Sequence, residues 1–148
     1  MLKSLFPVFV TDKLDEAKRF YETYFAFVVV FQTDWYVQLH ATRSSYQPLE
    51  LAFMLPGLRE QPEPVQAAFS GKGVILTVEV DDVDASYRGL NGACAITEFV
   101  CDIRDEPWGQ RHFMFRDPAG ILVDVFQLIP PSSEYENAYS DEQEQSDS

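Results

Sequence analysis

The sequence predicts an α+β fold built from two tandem β-α-β-β-β modules. Three observations predict it. Short apolar runs rich in β-branched and aromatic residues recur in both halves of the chain. Each half carries one amphipathic helical stretch directly behind its first run. The two patterns start about 70 residues apart, and Val8-Phe9-Val10-Thr11-Asp12 aligns with Val78-Glu79-Val80-Asp81-Asp82 without a gap.

The elements follow in order. Leu2–Val10 reads as a strand, crowding Leu5, Phe6, Val8, Phe9 and Val10 together. Thr11-Asp12 offers a cap, and Asp12–Tyr24 reads as a helix with Leu14, Ala17, Phe20, Tyr21 and Tyr24 on one stripe. Phe25–Gln32, Asp34–Thr42 and Pro48–Leu55 are three further strands. Residues 56–72 contain Pro56, Pro62 and Pro64 and read as a linker with a short helix at most. Val74–Val80 opens the second module, Asp81 and Asp82 cap a helix running to about Leu90, and Asn91-Gly92 closes it. Ala95–Asp102, Gln110–Arg116 and Ile121–Leu128 are strands, the last two joined by the Asp117-Pro-Ala-Gly120 turn. The expected division is 1–55 for the first module, 56–72 for the linker, 73–130 for the second module and 131–148 for a disordered acidic tail.

Composition sets the outer limits. The 148 residues are 46% hydrophobic and 14% aromatic, with 12 Phe and 7 Tyr, which is a globular composition. Against 11 basic residues stand 24 acidic ones, for a formal charge of −13. That balance disfavours nucleic acid and anionic membrane as partners. Six of the excess negatives (Glu134, Glu136, Asp141, Glu142, Glu144 and Asp147) lie in the tail, whose expected role is solubility. The apolar runs fall short of the ~20 residues that span a bilayer. Met1-Leu-Lys-Ser leads straight into a strand-like run without a long apolar signal region, so a cytoplasmic location is the expectation. Cys94 and Cys101 belong to no metal-spacing pattern and are expected to be reduced.

Three stretches, Val10–Tyr21, Val78–Ala85 and Trp108–Val125, together with the duplication, resemble the vicinal oxygen chelate superfamily. That superfamily includes glyoxalase I, bleomycin and fosfomycin resistance proteins and extradiol dioxygenases. The resemblance spans residues 1 to about 130. It implies two βαβββ modules whose curled mixed sheets form a shared cleft, and in many members a homodimer. It also chooses the strand faces: Phe6, Val8 and Val10 would lie under the first helix, with Leu5, Pro7 and Phe9 toward the cleft. In the fifth strand Leu76, Val78 and Val80 would go to the helix, and Ile75, Thr77 and Glu79 to the cleft.

Metal-using members place a ligand near the start of each module's first strand and another in each fourth strand. The resemblance puts these at Leu5 and Ile75, which cannot bind metal, and near Glu50 and at Asp124. Two carboxylates without imidazole are a poor site for zinc, nickel or iron. A Mg²⁺ or Mn²⁺ site would need substrate to complete it. The expectation is therefore no cofactor. His40 and His112 sit in corresponding strands, where either can serve as ligand or base, although a lone strand histidine is more often a surface or satisfied residue. His112 shares a face with Gln110 and Met114, and Arg111 with Phe113 and Phe115; parity alone leaves open which set lines the cleft. Trp35 and Trp108 fall at loop-to-strand junctions, where pocket rims form.

The expected ligand-binding residues are thus Trp35, His40, Glu50, Trp108, Arg111, His112 and Asp124. The resemblance and the acidic, aromatic composition favour a metal-free protein that binds a small molecule, such as a cationic or aromatic antibiotic, in a dimer cleft. The alternative is a glyoxalase- or dioxygenase-like lyase or isomerase using a divalent metal or a cleft carboxylate as base. A vestigial cleft in a protein-interaction module is the third.

Overall fold

The computed structural model describes residues 1–41, 49–96 and 98–139. It divides into two units, Met1–Gly73 with Asp117–Ile121, and Val74–Arg116 with Leu122–Ser148. Each unit holds one four-stranded sheet.

The first unit runs β1 (Val8–Val10), α1 (Leu14–Phe25), β2 (Phe27–Gln32), β3 (Tyr36–Ala41) and β4 (Leu49–Met54). The sheet order is β1-β4-β3-β2, with β1 parallel to β4 and the other pairs antiparallel. Helix α1 ends where Ala26 turns left-handed at φ 55° and gives its N–H to Tyr21. Its buried stripe, Ala17, Phe20 and Tyr21, covers one sheet face. On that face the Tyr21 and Phe53 rings stack at 5.8 Å, and Val37, Leu39, Leu51 and Phe53 are each at most 2% exposed. Burying an aliphatic or aromatic side chain of this size stabilises by about 1.5–3 kcal/mol.

Phe9 lies on this same covered face, 6.3 Å from the Phe53 ring and 5.3 Å from that of Phe69. The sequence reading put Phe9 on the open face and Val8 on the covered one. The cause is a slip of one residue in the repeat alignment. Phe9 pairs with the buried Phe53 as Val78 pairs with the buried Val125, and the helices behind these strands begin at Leu14 and Val83, 69 residues apart rather than 70. With a side-chain period of two, that slip exchanges the faces.

Residues 56–72 pack onto the first unit instead of linking two. Phe69 donates its N–H to the Val10 carbonyl at 2.8 Å, and a short 3₁₀ turn occupies Glu63–Val65. The Asp117–Ile121 turn also belongs to this unit. Asp117 Oδ1 accepts from the amides of Ala119 and Ile121, both at 2.9 Å, while Gly120 takes φ 80°. The Tyr21 hydroxyl donates to Asp117 Oδ2 at 2.5 Å.

The second unit runs β5 (Ile75–Glu79), α2 (Val83–Gly92), β6 (Phe99–Glu106), β7 (Gln110–Arg116) and β8 (Leu122–Leu128). Its order is β5-β8-β7-β6, with β5 parallel to β8. Asp82 caps α2 by accepting from the Ala85 N–H at 3.1 Å. Phe113, Phe115, Val123 and Val125 are fully buried, and Tyr87 of α2 meets Phe113 edge-on at 5.2 Å. Strand β6 lies later than expected. It pairs Glu106 with Gln110 across the Pro107–Gly109 turn, so it runs on through Asp102, Arg104 and Asp105 at an exposed edge. The tail also differs from expectation. A 3₁₀ helix forms at Ser133–Ala138, and Tyr139 donates to the Trp108 carbonyl at 2.6 Å. Residues 140–148 lie outside the described residues. Among the described residues, no helix is long and apolar enough to cross a membrane.

Candidate functional site

Each sheet has one face covered by its helix and one open face, and the strand registers sort the expected site residues between them. In the first unit the open face carries Val8, Ala52, Gln38, Tyr36, Glu50 and His40; His40 and Glu50 are direct cross-strand partners. Gln38 Nε2 donates to Glu50 Oε1 at 3.0 Å, and the Tyr36 hydroxyl donates to Gln38 Oε1 at 3.2 Å. Burial, and then the charge of Glu50, push the Tyr36 hydroxyl above its usual pKa. Trp35 stands at the entry to β3, 38% exposed, with its ring 5.8 Å from Tyr36; the half-exposed Phe31 lies 5.9 Å from Tyr36 on the same strand pair. The result is a small aromatic shelf beside a carboxylate.

The second unit places His112 and Asp124 on its open face with Thr77, Met114 and Phe126. His112 is only 3% exposed, and carboxylates meet both of its ring nitrogens. Nδ1 lies 2.8 Å from Asp124 Oδ1, and Nε2 lies 3.2 Å from Glu106 Oε1. Glu106 Oε1 is also ion-paired with Arg104 Nε. Arg104, and then His112, hold the Glu106 carboxyl below the usual carboxylate range. Trp108 packs edge-on to His112, with ring centroids 6.4 Å apart at 70°, and its indole N–H donates to Gln110 Oε1 at 3.0 Å.

Arg111 is separated from this group. It points to the helix-covered face, where its guanidinium bonds Asp84 of α2 through both Nε (3.1 Å) and Nη2 (2.9 Å), and Asp105 through Nη1 at 2.9 Å. The structure thus brings His112, Asp124 and Trp108 together in one unit, and Trp35, Glu50 and His40 in the other, and leaves Arg111 out of both groups. Glu106 was missed in the reading of the sequence. Its only signal there is the Arg104/Glu106 alternation in a run read as loop.

Two sheets of order β1-β4-β3-β2 and β5-β8-β7-β6, each with a crossover helix on one face and polar and aromatic side chains on the other, define a duplicated βαβββ protein. The chain belongs to the Glyoxalase/Bleomycin resistance protein/Dioxygenase superfamily, whose family model matches residues 5–125. Similar solved structures include a glyoxalase/bleomycin resistance protein/dioxygenase from Nocardioides, with 22% identity, coverage of 87% of both chains and a TM-score of 0.65. A superfamily member from Sphaerobacter thermophilus has 20% identity over 86% of this chain and 98% of its own, with a TM-score of 0.66. A lactoylglutathione lyase from Agrobacterium tumefaciens has 20% identity over 84% and 92%, with a TM-score of 0.62. At these identities the likeness establishes the fold. No curated protein matches the sequence.

Members of this superfamily that use a metal need converging donors, and the residues here do not fit one. On the first open face Val8 and Ala52 offer no side-chain donor atom, and Glu50, near the expected fourth-strand position, has its Oε1 bonded by Gln38; on the second, Thr77 pairs with Asp124. Both ring nitrogens of His112 already face carboxylate oxygens, those of Asp124 and Glu106. Among the described residues no three His, Cys, Asp or Glu side chains are grouped so as to hold a metal ion.

Proposed function

We infer that this chain is a metal-independent binding protein for a small organic ligand, cationic or aromatic in character, and that it works as a homodimer. One observation carries the reading. His112, the imidazole on the open face of the second sheet, is 3% exposed and held between Asp124 and Glu106, so both of its ring nitrogens already have protein partners. Each unit also carries groups suited to holding a ligand. The half-exposed indoles of Trp35 and Trp108 give rigid stacking surfaces, and Glu50 supplies negative charge beside Tyr36. The charge of −13 draws cations to the surface in general. Sequestration of a cationic, aromatic antibiotic is the role that fits these features best. A lyase using Glu50 or Asp124 as base is the competing reading. It is weakened by the burial of Asp124 at 7% exposure and by its bond to His112.

The test is a titration of intrinsic tryptophan fluorescence with planar cationic compounds, bleomycin and the dye proflavine among them. Saturable quenching that is lost in Trp35→Ala or Trp108→Ala supports binding. An unchanged emission across all of them, or steady turnover of an α-keto aldehyde–thiol adduct, refutes it.

A further inference from the structure

The family match ends at residue 125, yet the chain beyond β8 folds back onto the second sheet. It is hydrogen-bonded there to the β6–β7 turn. All three carbonyls of that turn accept from the C-terminal segment: Gly109 from the Ile129 N–H at 2.9 Å, Pro107 from the Ser132 N–H at 2.9 Å, and Trp108 from the Tyr139 hydroxyl at 2.6 Å. Gly109 is shaped for this contact. It takes φ 106°, and a Cβ there would stand 2.8 Å from the Tyr139 hydroxyl and 2.9 Å from the Ile129 carbonyl oxygen. Any side chain at 109 would therefore collide with the segment as well as strain the backbone. The same turn carries Trp108, whose ring lies edge-on to His112. The segment thus grips the backbone of the one residue whose indole screens the buried imidazole.

We propose that residues 129–139 form a strap and that Tyr139 is a positioning residue, fixing the Trp108 indole beside His112 as a rigid wall for an aromatic ligand. The ligand half of this proposal rests on the binding function proposed above; the fixing of Trp108 does not. A wall held in place before binding loses less side-chain freedom on binding, and so binds a flat ligand more tightly than a free indole does.

The chain has two tryptophans, so Trp35→Phe leaves Trp108 as the sole emitter. In that background four full-chain or shortened proteins are compared: the parent, Tyr139→Phe, a chain ending at Ser132, and a control lacking only residues 140–148. Trp108 is 40% exposed, so its release by Tyr139→Phe or by the Ser132 truncation should raise acrylamide quenching roughly twofold and shift emission to the red. The control should match the parent. Gly109→Ala should reproduce the release. Tyr139→Phe, which deletes one hydroxyl, keeps the test open should that backbone variant misfold. Parent-like emission in both Tyr139→Phe and the Ser132 truncation overturns the strap.

Proflavine affinity, read by dye anisotropy with Trp35 intact, separates the two halves. Loss of one hydrogen bond's worth of positioning should weaken it about three- to tenfold in Tyr139→Phe. Equal affinity in parent and variant overturns the ligand role of the strap while leaving the binding function standing. If the parent binds no proflavine, the ligand role falls together with the binding function for this class of compound. The fixing of Trp108 is then decided by emission alone.

Discussion

Replacing Tyr21 by Phe removes one oxygen from a buried polar contact in the first unit. The Tyr21 ring is 1% exposed and keeps its contacts to Phe53 and Phe27, each at a centroid distance of 5.8 Å, so packing is conserved. What disappears is the donor 2.5 Å from Asp117 Oδ2. Asp117 is itself buried at 5% exposure, and its other oxygen is already shared by two turn amides. A hydrogen bond to a charged group contributes about 1.5–3 kcal/mol. For a chain of this size ~2 kcal/mol corresponds to a fall in Tm of roughly 4–8 °C. The assay is urea and thermal unfolding followed by circular dichroism. A second signature lies in pH. Burial, and then the Asp117 carboxylate, hold the Tyr21 hydroxyl well above its usual pKa. Its contribution is therefore complete below about pH 10, where tyrosine ionises in the unfolded chain, and declines as pH rises from there toward the folded value. The stability gap between parent and Tyr21→Phe should narrow above pH 10. A variant within about 0.5 kcal/mol of the parent at pH 7, or a gap that widens in alkali, would refute the reasoning.

His112→Ala should cost about 3 kcal/mol in urea unfolding, because it strands the buried Asp124 carboxylate without its partner. Arg111→Met should lower Tm only slightly and leave proflavine affinity as it is, since its ion pairs with Asp84 and Asp105 lie on the helix-covered face and are partly solvated. Glu106→Gln should flatten the acid limb of the stability profile. The Glu106 carboxyl, held low by Arg104 and His112, contributes stability above the ordinary carboxylate pKa of about 4.3, and that contribution is lost as pH falls through its lowered folded value. Melting temperatures between pH 6 and pH 3 check the sign.

What could be read from the sequence was whatever local chemistry decides. Gln110–Arg116 falls where its alternation put it, Asp82 caps α2, and Asp117 organises its turn through its own side chain. Faces and partners depend on register, which no single strand encodes. One residue of slip in aligning the repeats reversed Phe9 and Val8, and parity without a partner strand could not tell Arg111 from His112. The His112 bracket joins residues from three strands, and its Glu106 arm lies on an edge strand whose charges look like loop. The acidic composition from Ser132 onward masked the two features that dock it, the Tyr139 hydroxyl and the space above Gly109. Such a segment has no hydrophobic period; it is held by hydrogen bonds to one turn.

Metal content decides the central claim. The untagged protein is exposed in turn to Mn²⁺, Ni²⁺, Zn²⁺ and Fe²⁺, desalted and analysed by elemental mass spectrometry beside Asp124→Ala and Glu50→Ala. With His112 committed to two carboxylates and no donor at Val8 or Ala52, the account predicts metal far below one equivalent, equal in parent and variants. One equivalent retained by the parent and lost with Asp124 or Glu50 would contradict it and restore a metal-dependent lyase or dioxygenase as the function.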